Sequence, residues 1–582
     1  MKNVNATPSV LERWIIGVVS ALLAGLIVVW AWHASELVLQ IVFILAALAL
    51  VLLAVLSVAA WRHGFRWFFS RRALRFYGWL AVGIVSVVVL FYAEESWRGK
   101  RMWAALQREA GARGESLELS SVIPPAVPED ENFALAPGIG RLLGFAEPGS
   151  GNEQETASPG AFYQETGDDW PAATWALGQA TDLAAWQEFF RRHAITPRAQ
   201  TNADPSRPAL PVAPAPQAPA ADVMLALSRY DSALAVLRTA SQRPQARYPL
   251  AYEEGLFALS YPSHGRQLEF LPQAAHVLSL RAIAELAQGR SEPALQDTLL
   301  ALRLANTLRE EPYWQLHHLR AQMLMFCVQP VWEGLAQHRW TEPQLAALQQ
   351  QFAAMDLPAE FRVMARGGTF VFMNLADQLQ AFLAGRRSPA GDLLGSERFA
   401  AWLFCRLYPE GWLYQDKVWI YRFYERRADV FKAMNAAKAG RGDTELRRAT
   451  DPLLLIFVVP NLLEAFHGGA EGALYLHTTC QEAVVACALE RYRLAQGRYP
   501  DSLEALAPAW LKEPPADLLD PNGSKLRYRR EGDGGFVLYS IGLNRADDGG
   551  RPGPADKNWR WGEAAYPRLK EGDWVWRQPG RQ

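Results

Sequence analysis

Three uncharged apolar runs open this chain and constrain its fold before any other feature does. Trp14 to Trp32 holds no ionisable side chain. At ~1.5 Å per residue its 19 residues reach ~28 Å, about the thickness of a bilayer's hydrocarbon core. Leu37 to Trp61 is a second such run, rich in Leu, Val and Ala, and Phe76 to Ala93 is the third and shortest. Trp14, Trp30, Trp32, Trp61, Trp67 and Trp79 stand near the ends of the runs, where interfacial anchors belong. A cleaved signal peptide would need a basic n-region and an A-x-A site, which the first run lacks, and a second span follows at once. The expectation is three retained transmembrane helices at about 14–32, 37–61 and 76–93.

Loop charge orients them. His33 to Glu36 carries no Lys or Arg, whereas Arg62 to Arg75 carries five Arg. The positive-inside rule places that second loop in the cytoplasm, so the N-terminus is cytoplasmic and everything after Ala93 is extracytoplasmic. In a Gram-negative cell this means a multi-pass inner-membrane protein with a periplasmic body. The lipid bilayer is then one partner.

At 582 residues the chain is too long for one core, since domains run to roughly 150 residues. With 59 basic and 60 acidic residues its net charge is −1, so no global field selects nucleic acid. Residues 94–222 read as a juxtamembrane helix (Trp97, Met102, Trp103, Leu106) followed by a Pro-rich tether. Val122-Ile-Pro-Pro interrupts regular structure, and Thr196 to Asp222 is dense in Pro and Ala, with too little apolar surface to offset its ordering entropy.

From 223 to 465 helical periodicity dominates, which predicts an α-helical domain. Its clearest unit pairs a helix bearing Val277, Leu280, Ile283 and Leu286 with one bearing Leu295, Leu299 and Leu302, across a Gly289-Arg290 turn. Ser291 stands where a cap belongs and Pro293 in the first turn. The Gly289, Ala294 and Ala301 spacing is similar to one tetratricopeptide hairpin. A solenoid needs about three such repeats, so the unit reads as a single αα-hairpin. Thr341-Glu-Pro-Gln344 is a capping box ahead of Leu345 and Leu348.

The last section, 466–582, reads as a small α+β module. Leu474 to Gln496 is a helix stopped by Gly497, and Asp501-Ser-Leu-Glu504 starts a short second one. Lys525 to Arg530 and Phe536 to Ile541 flank Gly532-Asp533-Gly534 as a hairpin. Asp573 to Arg577 adds a strand, with Trp574 and Trp576 on one face and Val575 on the other.

Gly497, Tyr499, Pro500, Asp520, Pro521, Gly523, Ser540 and Gly542 carry a family resemblance. In this order they resemble the globular head of type II secretion major pseudopilins. That resemblance implies an acidic, Gly-rich calcium loop at Asp547-Asp-Gly-Gly. Calcium takes six to eight hard oxygens. Asn544, Asp547, Asp548 and Asp556 are the candidate side-chain ligands, with Gly549 and Gly550 bending the loop to aim carbonyls. The rest of the chain resembles a family of membrane-anchored bacterial proteins and brings no activity with it. Unlike true pseudopilins, the N-terminus has no prepilin peptidase site, and the apolar runs lie far ahead of the module. Both differences count against polymerisation into a pseudopilus.

Other chemistry is sparse. Cys327, Cys405, Cys480 and Cys487 allow three full pairings. On one helix Cys480 and Cys487 would stand ~10.5 Å apart, beyond the ~7 Å reach of a disulfide, and buried free thiols are the simpler reading. His467, His477, Cys480 and Cys487 lack zinc spacing and read as helix core. Glu253-Glu254 and Glu310-Glu311 read as solvated faces. No H-E-x-x-H, G-x-S-x-G, S-x-x-K, Walker A or C-x-x-C motif is present. The expectation is a membrane-anchored interaction or structural protein with a protein partner for its extracytoplasmic part. The alternative is an extracytoplasmic enzyme whose site is scattered through the helical domain.

Overall fold

The computed structural model describes residues 71–144, 171, 173–195, 210–250, 252, 268–383, 408–428, 459–532, 534–561 and 564–579. The chain divides into two units, residues 1–97 and 98–582. In the first, the described residues belong to a long helix, α1 (Arg71–Ala112). Its side chains from Phe76 to Phe91, among them Trp79, Ile84, Val87 and Leu90, stand exposed. Among the described residues, α1 is the one helix long and apolar enough to cross a membrane, and none of its apolar window is buried. The third predicted span lies within it. The first two, 14–32 and 37–61, fall outside the described residues.

Residues 98–582 are mostly helical with a small C-terminal sheet region. In chain order come α2 (Ile139–Leu143), α3 (Leu183–Ile195), α4 (Pro219–Leu227), α5 (Asp231–Ala240), α6 (Phe270–Ala287) and α7 (Ser291–Asn306). Then follow α8 (Trp314–Ala336), α9 (Glu342–Ala353), α10 (Leu357–Leu383), α11 (Glu410–Ala428) and α12 (Val459–Gln496). The strands are β1 (Arg527–Arg530), β2 (Phe536–Ser540), β3 (Ala555–Trp561), β4 (Ala564–Pro567) and β5 (Trp574–Gln578).

The predicted hairpin is α6 and α7. Leu280, Ile283 and Leu286 on one helix and Leu302, Ala294, Ala301 and Ala305 on the other are buried. Ser291 is not the cap: it is the first helical residue, and Arg290 precedes the helix without a side-chain cap. Helix α8 packs on both members of the pair and on α12. It contains Pro330, which has no N–H to give the carbonyl of Phe326 one turn back. Ser279 on α6 supplies the missing donor, its Oγ lying 2.8 Å from Phe326 O. The proline's lost helix bond has become a bond between helices. The Thr341–Gln344 capping box opens α9, with the Gln344 side chain accepting from the Thr341 N–H at 3.0 Å.

Helix α12 is longer than its apolar pattern suggested and ends where expected. Gly497 takes a left-handed φ of 76°, which a side-chain-bearing residue adopts only at a cost. The short helix after it is a 3₁₀ turn (Leu503–Leu506) whose Leu503 and Leu506 are buried. Asp501 does not cap it and pairs instead with Arg530 on β1. Strands β1, β2 and β5 form an antiparallel sheet in the order β1-β2-β5, while β3 and β4 form a separate hairpin. Trp574 and Trp576 point into the main core, whereas Val575 joins Val537 and Tyr539 on the other face.

Two expectations about organisation change. The stretch 94–222 is not simply a tether: Phe133, Ile139, Trp175, Trp186 and Leu210 are all buried. Asp222, at its end, accepts from Gln187 at 2.6 Å and Arg191 at 2.6 Å on α3. A few large aromatics and one paired carboxylate thus order segments whose average composition is poor in apolar surface. The division at 465/466 falls inside α12, and one hydrophobic cluster runs from Leu106 to Trp576. Helical body and sheet share a core.

Candidate functional site

The predicted calcium loop follows β2, and arginines, a tyrosine, an asparagine amide and a backbone N–H donate to its oxygens. Tyr539 and Arg527 stand opposite each other on β2 and β1, and both reach Asp547. Its Oδ2 accepts from Arg527 Nε at 2.8 Å, and its Oδ1 from the Tyr539 hydroxyl at 3.1 Å and the Gly549 N–H at 2.9 Å. Asp548 Oδ2 accepts from the Asn544 amide at 2.8 Å. The carbonyl of Gly549 accepts from Arg529 at 2.6 Å, and that of Gly550 from Arg577 at 3.3 Å. Gly550 has a φ of 74°, and a Cβ there would stand 2.7 Å from Val537 Cγ1, so glycine is required on both counts.

Asp556 stands at the start of β3, opposite Tyr566. Of the four predicted side chains, Asn544 and Asp548 are joined directly and Asp547 is held by Arg527 and Tyr539. Among the described residues no group of three or more His, Cys, Asp or Glu side chains is placed to hold a metal ion. Calcium needs several oxygens converging on one point, and here those oxygens face guanidinium and amide donors.

Beneath the loop lie three carboxylates that no sequence motif singles out as a group. Buried Asp573 accepts from the N–H groups of Asp548 at 3.2 Å and Gly550 at 2.7 Å, fixing the loop's backbone from below. Asp517 accepts from Ser540 Oγ at 2.7 Å and from the Leu519 and Ile541 N–H groups at 3.0 Å each. Asp520 closes the Asp-Pro-Asn-Gly turn by accepting from Asn522 N–H at 2.8 Å, and it also accepts from Arg527 at 2.9 Å. Only the Asp520 turn had a readable signal.

Behind the sheet an aromatic cluster joins it to the helices. Trp175 lies 5.3 Å from Trp576 and is stacked at 6.5 Å on Tyr475 of α12, which meets Trp574 edge-on at 5.1 Å. Trp332 of α8 donates its indole N–H to the carbonyl of Arg577 at 2.8 Å.

Three further clusters place carboxylates in the interior. Glu311, expected on a solvated face, is buried while its neighbour Glu310 is exposed. The Tyr252 hydroxyl lies 2.9 Å and 3.1 Å from the two Glu311 oxygens. Burial pushes this carboxyl up to about 7, against the opposing pull of the tyrosine bond. Glu285 is likewise raised to about 7, by burial and then by Asp297, which Arg238 and Arg281 neutralise at 2.6 Å and 3.0 Å. Glu490 goes the other way. Burial alone would raise it, yet hydrogen bonds from Arg493, His338 and Tyr499 hold it at about 2. Tyr499, the tyrosine of the Gly-x-Tyr-Pro stop, reaches Glu490 at 2.6 Å and fastens the chain reversal to α12. Each cluster joins segments far apart in sequence, Tyr252 to Glu311, Arg238 to Asp297 and His338 to Glu490, so the chemistry on view is cross-bracing.

The remaining candidates are core residues. Cys327, Cys480 and Cys487 are free, buried thiols. His477 is pushed down to about 4 by burial. Cys405, Glu253, Glu254 and the His467 side chain fall outside the described part of the chain. No protein-family model, curated protein or solved structure matches this chain.

Proposed function

We propose that the chain is a membrane-anchored structural or interaction protein of the bacterial envelope. In this reading three apolar helices hold it in the inner membrane with the N-terminus in the cytoplasm. Residues 98–582 are displayed outside as one braced body for a protein partner, in an envelope or secretion role. One observation carries the reading: the apolar stretch of α1 from Phe76 to Phe91 offers its side chains outward with none of its window buried. Each large apolar side chain left in water forgoes about 1.5–3 kcal/mol, so a run of this length needs an apolar surrounding, which a bilayer supplies along its whole height. The Arg-rich stretch Arg62 to Arg75 just before it supports the orientation.

Paired reporter fusions after Gln582 test this. An alkaline phosphatase fusion should be active and a green fluorescent protein fusion dark, with the protein staying in the membrane pellet through alkaline carbonate extraction. A fluorescent C-terminus would overturn the orientation, and release by carbonate would overturn the anchoring.

A further inference from the structure

We infer that Arg527 is a built-in cation: its guanidinium, not a divalent ion, ties the acidic loop to the Asp520 turn and makes the loop indifferent to calcium. The inference concerns the loop alone and stands whether or not the proposed envelope role does. Arg527 opens β1, and its head lies among three carboxylates from two separate segments. Nε donates to Asp547 at 2.8 Å and Nη2 to Asp520 at 2.9 Å, while Nη1 stands 3.6 Å from Asp517. Asp517 and Asp520 are buried, so their charges lie where solvent screening is weak and an unmatched carboxylate would be costly.

A planar guanidinium offers five donors in fixed directions. It can therefore bridge carboxylates on separate segments, which is the task a calcium ion performs with its coordination shell. Arg529 and Arg577 complete the substitution by occupying the Gly549 and Gly550 carbonyls, oxygens a metal would otherwise draw on. Without the Arg527 head, Asp547, Asp520 and Asp517 lose the cation that faces all three, and added calcium is the replacement to be tried.

The test is hydrogen exchange read by mass spectrometry on the full chain in detergent micelles, following peptides over 542–550, with and without millimolar calcium chloride. Wild-type exchange should not respond to calcium. In Arg527→Ala the loop should exchange roughly tenfold faster, as expected when charge-assisted bonds are lost, and calcium should slow it again. Peptides over α6 and α7 serve as the internal control that each variant is folded. If Arg527→Ala fails that control, Asp547→Asn weakens the same clamp from its exposed end. It should speed loop exchange without creating a calcium response. Three results would overturn the inference: calcium protection of the wild-type loop, unchanged exchange in a folded Arg527→Ala chain, or faster exchange in it that calcium does not reverse.

Discussion

Tyr252, 59 residues away in sequence, donates to both oxygens of the buried Glu311 carboxyl. The consequence is a defined pH dependence. In the unfolded chain Glu311 titrates near its ordinary 4.5, and in the fold near 7. Between those values the unfolded state gives up a proton that the folded state keeps, so stability falls as pH rises through the window and levels off above it. A gap of that width between the two states caps the loss at about 3 kcal/mol. Glu311→Gln removes the titration. Its melting temperature should drop less than wild type's between pH 5 and pH 8, and the variant should be the more stable protein at pH 8. Equal slopes for the two proteins would show that Glu311 does not carry the penalty. Glu490 has the opposite sign: held at about 2, it contributes stability above 4.5 that is lost as pH falls towards 2. Neither role was legible locally. Glu310-Glu311 looks like any acidic pair, and only the return of Tyr252 to Glu311, far away in sequence, tells one from the other.

At the scale of elements, α6, α7, α9 and α12 were readable because their apolar positions recur at helical spacing and their ends carry Gly289, Thr341 or Gly497. Strands β1, β2 and β5 were readable from alternation, down to the opposed faces of Trp574 and Val575. The β3–β4 hairpin was not. Its strands carry Lys, Asn, Arg and Glu-flanked positions without alternation, and pairing there depends on partners rather than pattern. The α6–α8 contact includes one hydroxyl bond that no periodicity marks. Ser279→Ala removes the donor that Pro330 left Phe326 needing and strands a carbonyl between packed helices. The expected cost is about 1–3 kcal/mol in urea unfolding, well above the change for an exposed serine. A loss below the error of the measurement would mean that Phe326 O finds another donor.

For the whole molecule, the residues of 466–582 share one hydrophobic cluster with the helices before them. Ala483, Val485, Ala486, Cys487, Ala488 and Leu489 form a run of α12 that is buried on every side. A helix apolar all round needs neighbours all round, and here they are the sheet on one side and α8 and α9 on the other. The sequence motif traces the sheet side only, which is why a domain boundary at 465/466 looked natural. Trp175 and Trp332, both outside that boundary, complete the seating of Trp576 and β5. A 466–582 fragment should therefore keep helical far-ultraviolet dichroism yet lose the near-ultraviolet signal of its tryptophans, and it should bind a hydrophobic dye. Those are the marks of secondary structure without fixed packing. Adding residues 98–465 as a separate chain should restore the aromatic signal, because the missing surface is the helical body itself. A fragment that unfolds cooperatively with a full aromatic spectrum would show instead that the sheet side of α12 suffices and that the body is an addition to an autonomous head.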